Sequence, residues 1–156
     1  MSLVELPSDS VSSAVIGACF EVAKVLGTGF LEKVYEKALA LELRARGLRV
    51  ESQVGLTVYY KGEPAGNYFA DLVVEGELVA ELKCVGAITH EHVAQSLNYL
   101  RAAGLGVCLV VNFERSRVEW RRVVSNFGNG KVKGVTDLHG CGTDVFGIPK
   151  GSKPVL

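Results

Sequence analysis

Asp71, Glu81 and Lys83 are the residues of this chain whose types and spacing could do chemistry together. The stretch Ala70-Asp71-Leu72-Val73-Val74-Glu75-Gly76-Glu77-Leu78-Val79-Ala80-Glu81-Leu82-Lys83 reads as two strands around a turn. Residues of one parity share a face of a strand. Asp71 and Val73 therefore lie on one side of the first strand, and Val79, Glu81 and Lys83 on one side of the next. A three-residue loop, Glu75-Gly76-Glu77, pairs Val74 with Leu78 and sets Asp71 across from Glu81, with Cβ atoms roughly 5 Å apart. A two-residue loop sets Asp71 opposite Ala80 instead. Gly76 suits the left-handed conformation of the longer loop.

Two facing carboxylates repel each other unless a cation lies between them. Oxygen-only ligands suit a hard ion, Mg²⁺ or Mn²⁺ as its substitute, with waters and substrate phosphate completing the shell. Lys83, two residues beyond Glu81 on the same face, could orient or activate a metal-bound water and offset charge in a phosphoryl transition state. The bland alternative is an exposed hairpin face on which Lys83 neutralises one acid.

Helices must bring further groups to such a site. The first runs from Ser8, Asp9 or Ser10 with Val11, Val15, Ala18, Val22 and Val25 on one stripe, and Gly27 and Gly29 end it. The second runs from about Phe30 to Arg46, with Phe30, Val34, Ala38, Leu41 and Ala45 as its stripe and Gly47 as C-cap. Glu32 falls on this helix between Leu39 and Leu43, on a second apolar stripe where an acid needs a partner. Alternatively, its place in the first turn is favoured by the helix dipole alone. A third helix, His90 to Ala103, has Thr89 as N-cap, Gly104 as stop and Val93, Leu97 and Leu100 as core stripe. Its other face carries Gln95 and Tyr99 at i and i+4, near His92, able to hydrogen-bond a phosphate, a water or a metal-bound oxygen, or else to form a polar rim on the sheet. His90 and His92 point apart and are rejected as paired ligands.

Period-two patterning predicts strands at Leu48–Ser52, Leu56–Tyr60, Tyr68–Val74 and Leu78–Cys84, with turns at Lys61-Gly62-Glu63 and Glu75-Gly76-Glu77. Val107–Val111, apolar on both faces, reads as a central strand, and Val118–Val124 as a final, more exposed one. Trp120 on that strand could cover a core edge or make a homodimer contact, burial being the commoner outcome. The order α, α, three to four β, α, β, β is that of an α/β domain over residues 1–124. Residues 125–156 are rich in glycine without periodicity, the pattern of a loosely structured tail.

Composition limits the rest. The chain has 156 residues, one domain's worth, and 17 Lys plus Arg balance 17 Asp plus Glu. Cys19, Cys84, Cys108 and Cys141 form no CxxC pair, which argues against a structural zinc site or a disulfide scaffold and fits a reducing cytoplasm. Neither a signal segment nor a membrane span is expected.

Gly29-Phe30-Leu31-Glu32-Lys33-Val34-Tyr35 is similar to the motif that names the GxxExxY proteins, a group that resembles the PD-(D/E)XK nuclease superfamily. Asp71 followed by Glu81-Leu82-Lys83 resembles that superfamily's acid, acid-x-Lys signature, and Gln95 with Tyr99 its Q-xxx-Y element. Ala70 stands where the name motif has proline. The resemblance covers about Val11 to Val124. It implies a restriction-endonuclease-like α-β-β-β-α-β core with a mixed sheet flanked by helices, an extra N-terminal helix and a C-terminal strand. It further implies that Asp71, Glu81 and Glu32 bind Mg²⁺, with Mn²⁺ as substitute, that Lys83 and Gln95 join them in catalysis, and that Tyr35 and Tyr99 support the site. The implied reaction is phosphodiester hydrolysis of DNA, ahead of RNA, by a metal-activated water. The alternative is a catalytically silent nuclease-fold binding or regulatory protein, oligomeric in one version. Because net charge is zero, nucleic-acid binding is expected to depend on the metal rather than on the global field.

Overall fold

The computed structural model describes residues 9–125 and 136–137. Apart from Ser125 and residues 136–137, the glycine-rich tail lies outside the described residues. Helices α1 (Asp9–Leu26) and α2 (Glu32–Ala45) precede three antiparallel strands, β1 (Val50–Tyr60), β2 (Glu63–Val74) and β3 (Leu78–Lys83). Helix α3 (His90–Ala103) crosses to β4 (Val107–Asn112), which runs parallel to β3, and β5 (Glu119–Val124) returns antiparallel. The sheet order is β1-β2-β3-β4-β5, with the two-residue β6 (Thr136–Asp137) added on β5. This is the restriction-endonuclease-like α/β fold, with α2-β1-β2-β3-α3-β4 as its core, α1 added before and β5 after.

The sheet has a hydrophobic layer on each face. On one side α1 and α2 cover Leu72, Val74, Leu78, Ala80, Leu82, Leu109 and Val111. On the other, α3 covers Val73, Val79, Cys108, Val110 and Val123. The alternation along β3 and β4 follows the pleat, and β4 is buried on both faces as its unbroken apolar run requires. Trp120 packs on the edge of the first layer. No helix among the described residues is long and apolar enough to cross a membrane.

Three expectations need correction. The segments 48–52 and 56–60 belong to one strand, β1, because Val54 and Gly55 between them stay paired with Ala70 and Phe69 of β2. Strand β2 correspondingly begins at Glu63, and the first turn is only Lys61-Gly62, both with positive φ, as a tight hairpin requires. Helix α2 also faces the other way. Tyr35, Glu36, Leu39, Ala40 and Leu43 are buried, whereas Val34 is 39% and Leu41 56% exposed. Apolar residues occur on both flanks of this helix, and a buried acid at position 36 disguises the core flank.

Tyr35 fixes the approach to α2. Its ring stacks on Phe113 at 4.6 Å, and its hydroxyl donates to the Gly27 carbonyl at 2.6 Å and accepts from the Phe30 amide at 3.3 Å. Tyr35→Phe keeps the stack and removes both bonds. Thermal unfolding should report a loss of about 1 kcal/mol, or roughly 2–4 °C in Tm.

Candidate active site

The site forms where β2 and β3 part. Their ladder pairs Val74 with Leu78, Val73 with Val79 and Leu72 with Ala80, the register of the three-residue loop, with Gly76 left-handed at φ 65°. One step further, Asp71 lies across from Glu81, and side chains take over from the ladder. The Asp71 amide donates to Glu81 Oε1 at 3.2 Å, and the Leu82 amide donates to Asp71 Oδ2 at 2.9 Å. The two acids thus meet as their spacing predicts.

Asp71 also marks the place where the β1–β2 hairpin turns over. Val50, Leu72 and Val74 face the α1–α2 layer, but Val54, Leu56, Tyr68 and Ala70, of the same parity, face α3. The reversal falls at Gln53 and Asp71, a pair missing from the β1–β2 register between Ser52↔Leu72 and Val54↔Ala70, and Gln53 has φ 51°. Groups from both helical layers therefore reach Asp71.

Burial shapes the electrostatics. Glu81 is 4% exposed, and its pKa is pushed up to about 9 by burial first and by the Asp71 carboxylate second. Asp71 is shifted upward by burial, then by Glu36 and Glu32, against the lowering effect of hydrogen bonds from Leu82 and Gln53. Tyr99, 8% exposed, packs edge-on against Tyr68 at 5.2 Å. Burial and the Glu81 and Asp71 charges push its pKa to about 12, so its phenol stays protonated beside them.

Lys83 donates to Gln95 Oε1 at 3.3 Å, which ties β3 to α3 beside the acids. Glu32 opens α2 and accepts from the Cys84 amide at 3.0 Å, near enough to act on Asp71 electrostatically. Tyr35 is turned into the core and holds α2 rather than the acids. His92 proves to be a cap: Thr89 Oγ accepts from its amide, and its Nδ1 accepts from the Thr89 amide.

Two neighbours escaped the sequence analysis. Glu36 is 8% exposed and accepts from Lys33 and from Gln53, whose amide also reaches Asp71. The spacing of Glu32 and Glu36 at i and i+4, unfavourable for like charges, was the available signal.

Among the described residues no three His, Cys, Asp or Glu side chains converge as a metal cage. Asp71 and Glu81 nevertheless fit a hard divalent ion by the chemistry of their donors. They are two oxygen ligands, largely buried and mutually repelling, and one or two carboxylates with water and substrate phosphate are the usual means of holding Mg²⁺. Cys19, Cys84 and Cys108 are free thiols away from this role.

A family model of the PD-(D/E)XK nuclease superfamily matches residues 9–123. No curated protein and no solved structure gives a match. The acid pair across β2 and β3, the lysine two residues on, the α2-β1-β2-β3-α3-β4 core and a match spanning most of the chain lead to one conclusion: the chain belongs to the PD-(D/E)XK nuclease superfamily.

Proposed function

We propose that the protein is a divalent-metal-dependent phosphodiesterase acting on nucleic acid, DNA ahead of RNA, and a member of the GxxExxY group. One observation carries this reading: Asp71 and Glu81 meet at the parting of two strands, with Lys83 held against Gln95 beside them. When bound, Mg²⁺ or Mn²⁺ would polarise the phosphate and lower the pKa of an attacking water. Asp71 and Glu81 would hold the ion. Glu32, on the Cys84 amide at the mouth of the site, would add negative charge near it.

Lys83 would stabilise charge developing on the phosphoryl oxygens, its ammonium aimed by Gln95. The protonated Tyr99 would keep a donor beside the acids. Cleavage of single- and double-stranded DNA and RNA with Mg²⁺ or Mn²⁺ tests the reading. Lys83→Ala should lower the rate roughly 100-fold or more while Mn²⁺ affinity stays near that of wild type. Unchanged cleavage in this variant removes Lys83 from the reaction.

A second reading, a nuclease-fold protein that binds without turnover, is favoured by the satisfaction of the acids from within. Asp71 Oδ2 and Glu81 Oε1 each already accept a backbone amide. Metal binding that depends on Asp71 and Glu81, without hydrolysis of any nucleic acid, would select it.

A further inference from the structure

Gln53 is a non-glycine residue in the left-handed region inside a strand, at a step where the β1–β2 pairing is interrupted opposite Asp71. Such a conformation is costly for a residue with a Cβ, and it persists where the surroundings require it. Here it delivers one side chain to two acids. Gln53 Nε2 donates to Glu36 Oε1 and Oε2, both at 3.0 Å, and to Asp71 Oδ1 at 3.3 Å. Glu36 belongs to α2 and Asp71 to β2, and Asp71 Oδ2 is held separately by the Leu82 amide. Both oxygens of Asp71 are thereby fixed, one by β3 and one through Gln53 by α2.

We infer that Gln53 and Glu36 are positioning residues for a divalent cation at Asp71: the Gln53 amide bridges the two carboxylates and orients Asp71 toward the ion. This rests on the metal-dependent reading of the site. The chemistry suits the task. A neutral amide gives N–H to both anions without neutralising either, whereas Lys or Arg there would compete with the cation. The left-handed backbone at Gln53 turns the hairpin over and brings the amide between α2 and β2. Outer residues that orient a ligand typically change metal affinity by about 10- to 100-fold when lost.

Two variants separate the amide from the backbone. Gln53→Gly accepts the left-handed conformation more readily than glutamine and removes the amide. Glu36→Gln keeps an oxygen that can accept from Gln53, whereas Glu36→Ala removes it. In Mn²⁺ titration calorimetry, Gln53→Gly and Glu36→Ala should weaken binding about 10- to 100-fold, and Glu36→Gln should stay within about threefold of wild type. In metal-free protein, the Asp71 carboxyl ¹³C resonance should move in Gln53→Gly and Glu36→Ala and stay near its wild-type position in Glu36→Gln.

Wild-type affinity in Gln53→Gly overturns the inference. If the wild-type chain takes up no Mn²⁺, the metal reading itself fails, and so does the cation-positioning role. The Asp71 resonance then still decides whether the bridge exists: its movement retains a purely structural bridge, and its constancy removes that too.

Discussion

Metal-free protein carrying Glu81→Gln is expected to be more stable than wild type at about pH 8–9 and to lose this advantage toward about pH 4. Glu81 has an ordinary value of 4.5 and is pushed up to about 9 in the fold, by burial and then by Asp71. Between these values the native state holds a proton that the unfolded chain has released. Its stabilising contribution is fully present below about 4.5, and it is lost as pH rises toward about 9, at about 1.4 kcal/mol per pH unit. Asp71, also shifted upward, acts in the same direction. Glutamine stays neutral throughout and keeps an oxygen to accept the Asp71 amide. Urea unfolding in a chelator between about pH 4 and 9 should therefore show a steep decline for wild type and a much flatter one for the variant. Equal slopes would mean that Glu81 does not carry this proton.

Loss of Asp71 should have the largest effect on catalysis. Asp71→Ala removes a carboxylate whose two oxygens are fixed by Leu82 and Gln53 at the junction of two strands, next to Glu81. The Lewis-acid contribution it would support is worth several kcal/mol, so cleavage should fall by about 10³-fold or more. Alanine also leaves the Leu82 amide without its acceptor, and Asp71→Asn separates the two losses. Asparagine keeps an oxygen for Leu82 and removes the charge. Steady-state cleavage with Mn²⁺ should be lost to a similar degree in both variants while the asparagine protein unfolds near the wild-type temperature. Activity retained in Asp71→Asn would show that Asp71 acts through structure alone.

What was readable in the sequence depended on how local the controlling physics was. Helix α3 was legible to the residue, because Thr89 and Gly104 are local caps and Val93, Leu97 and Leu100 form a single stripe. The Asp71–Glu81 encounter was legible because a turn and a parity rule fix it within about a dozen residues. The face of α2 was not, since Tyr35, Leu39 and Leu43 compete with an equally apolar flank, and only packing on α1 and the sheet decides between them. Nor was the turnover at Gln53. Period two assumes an unbroken pleat, and no local pattern marks a glutamine for a left-handed backbone. Glu36 and Gln53 were missed for the same reason: their contacts join α2 to β1 and β2.

The most direct measurement is calorimetric titration of Mn²⁺ into wild type, Asp71→Asn and Glu81→Gln near neutral pH. If the acid pair is the metal seat of a nuclease, wild type binds Mn²⁺ and each variant binds at least about tenfold more weakly, while both remain folded. Affinity unchanged in both variants, or no binding by wild type, would contradict that assignment.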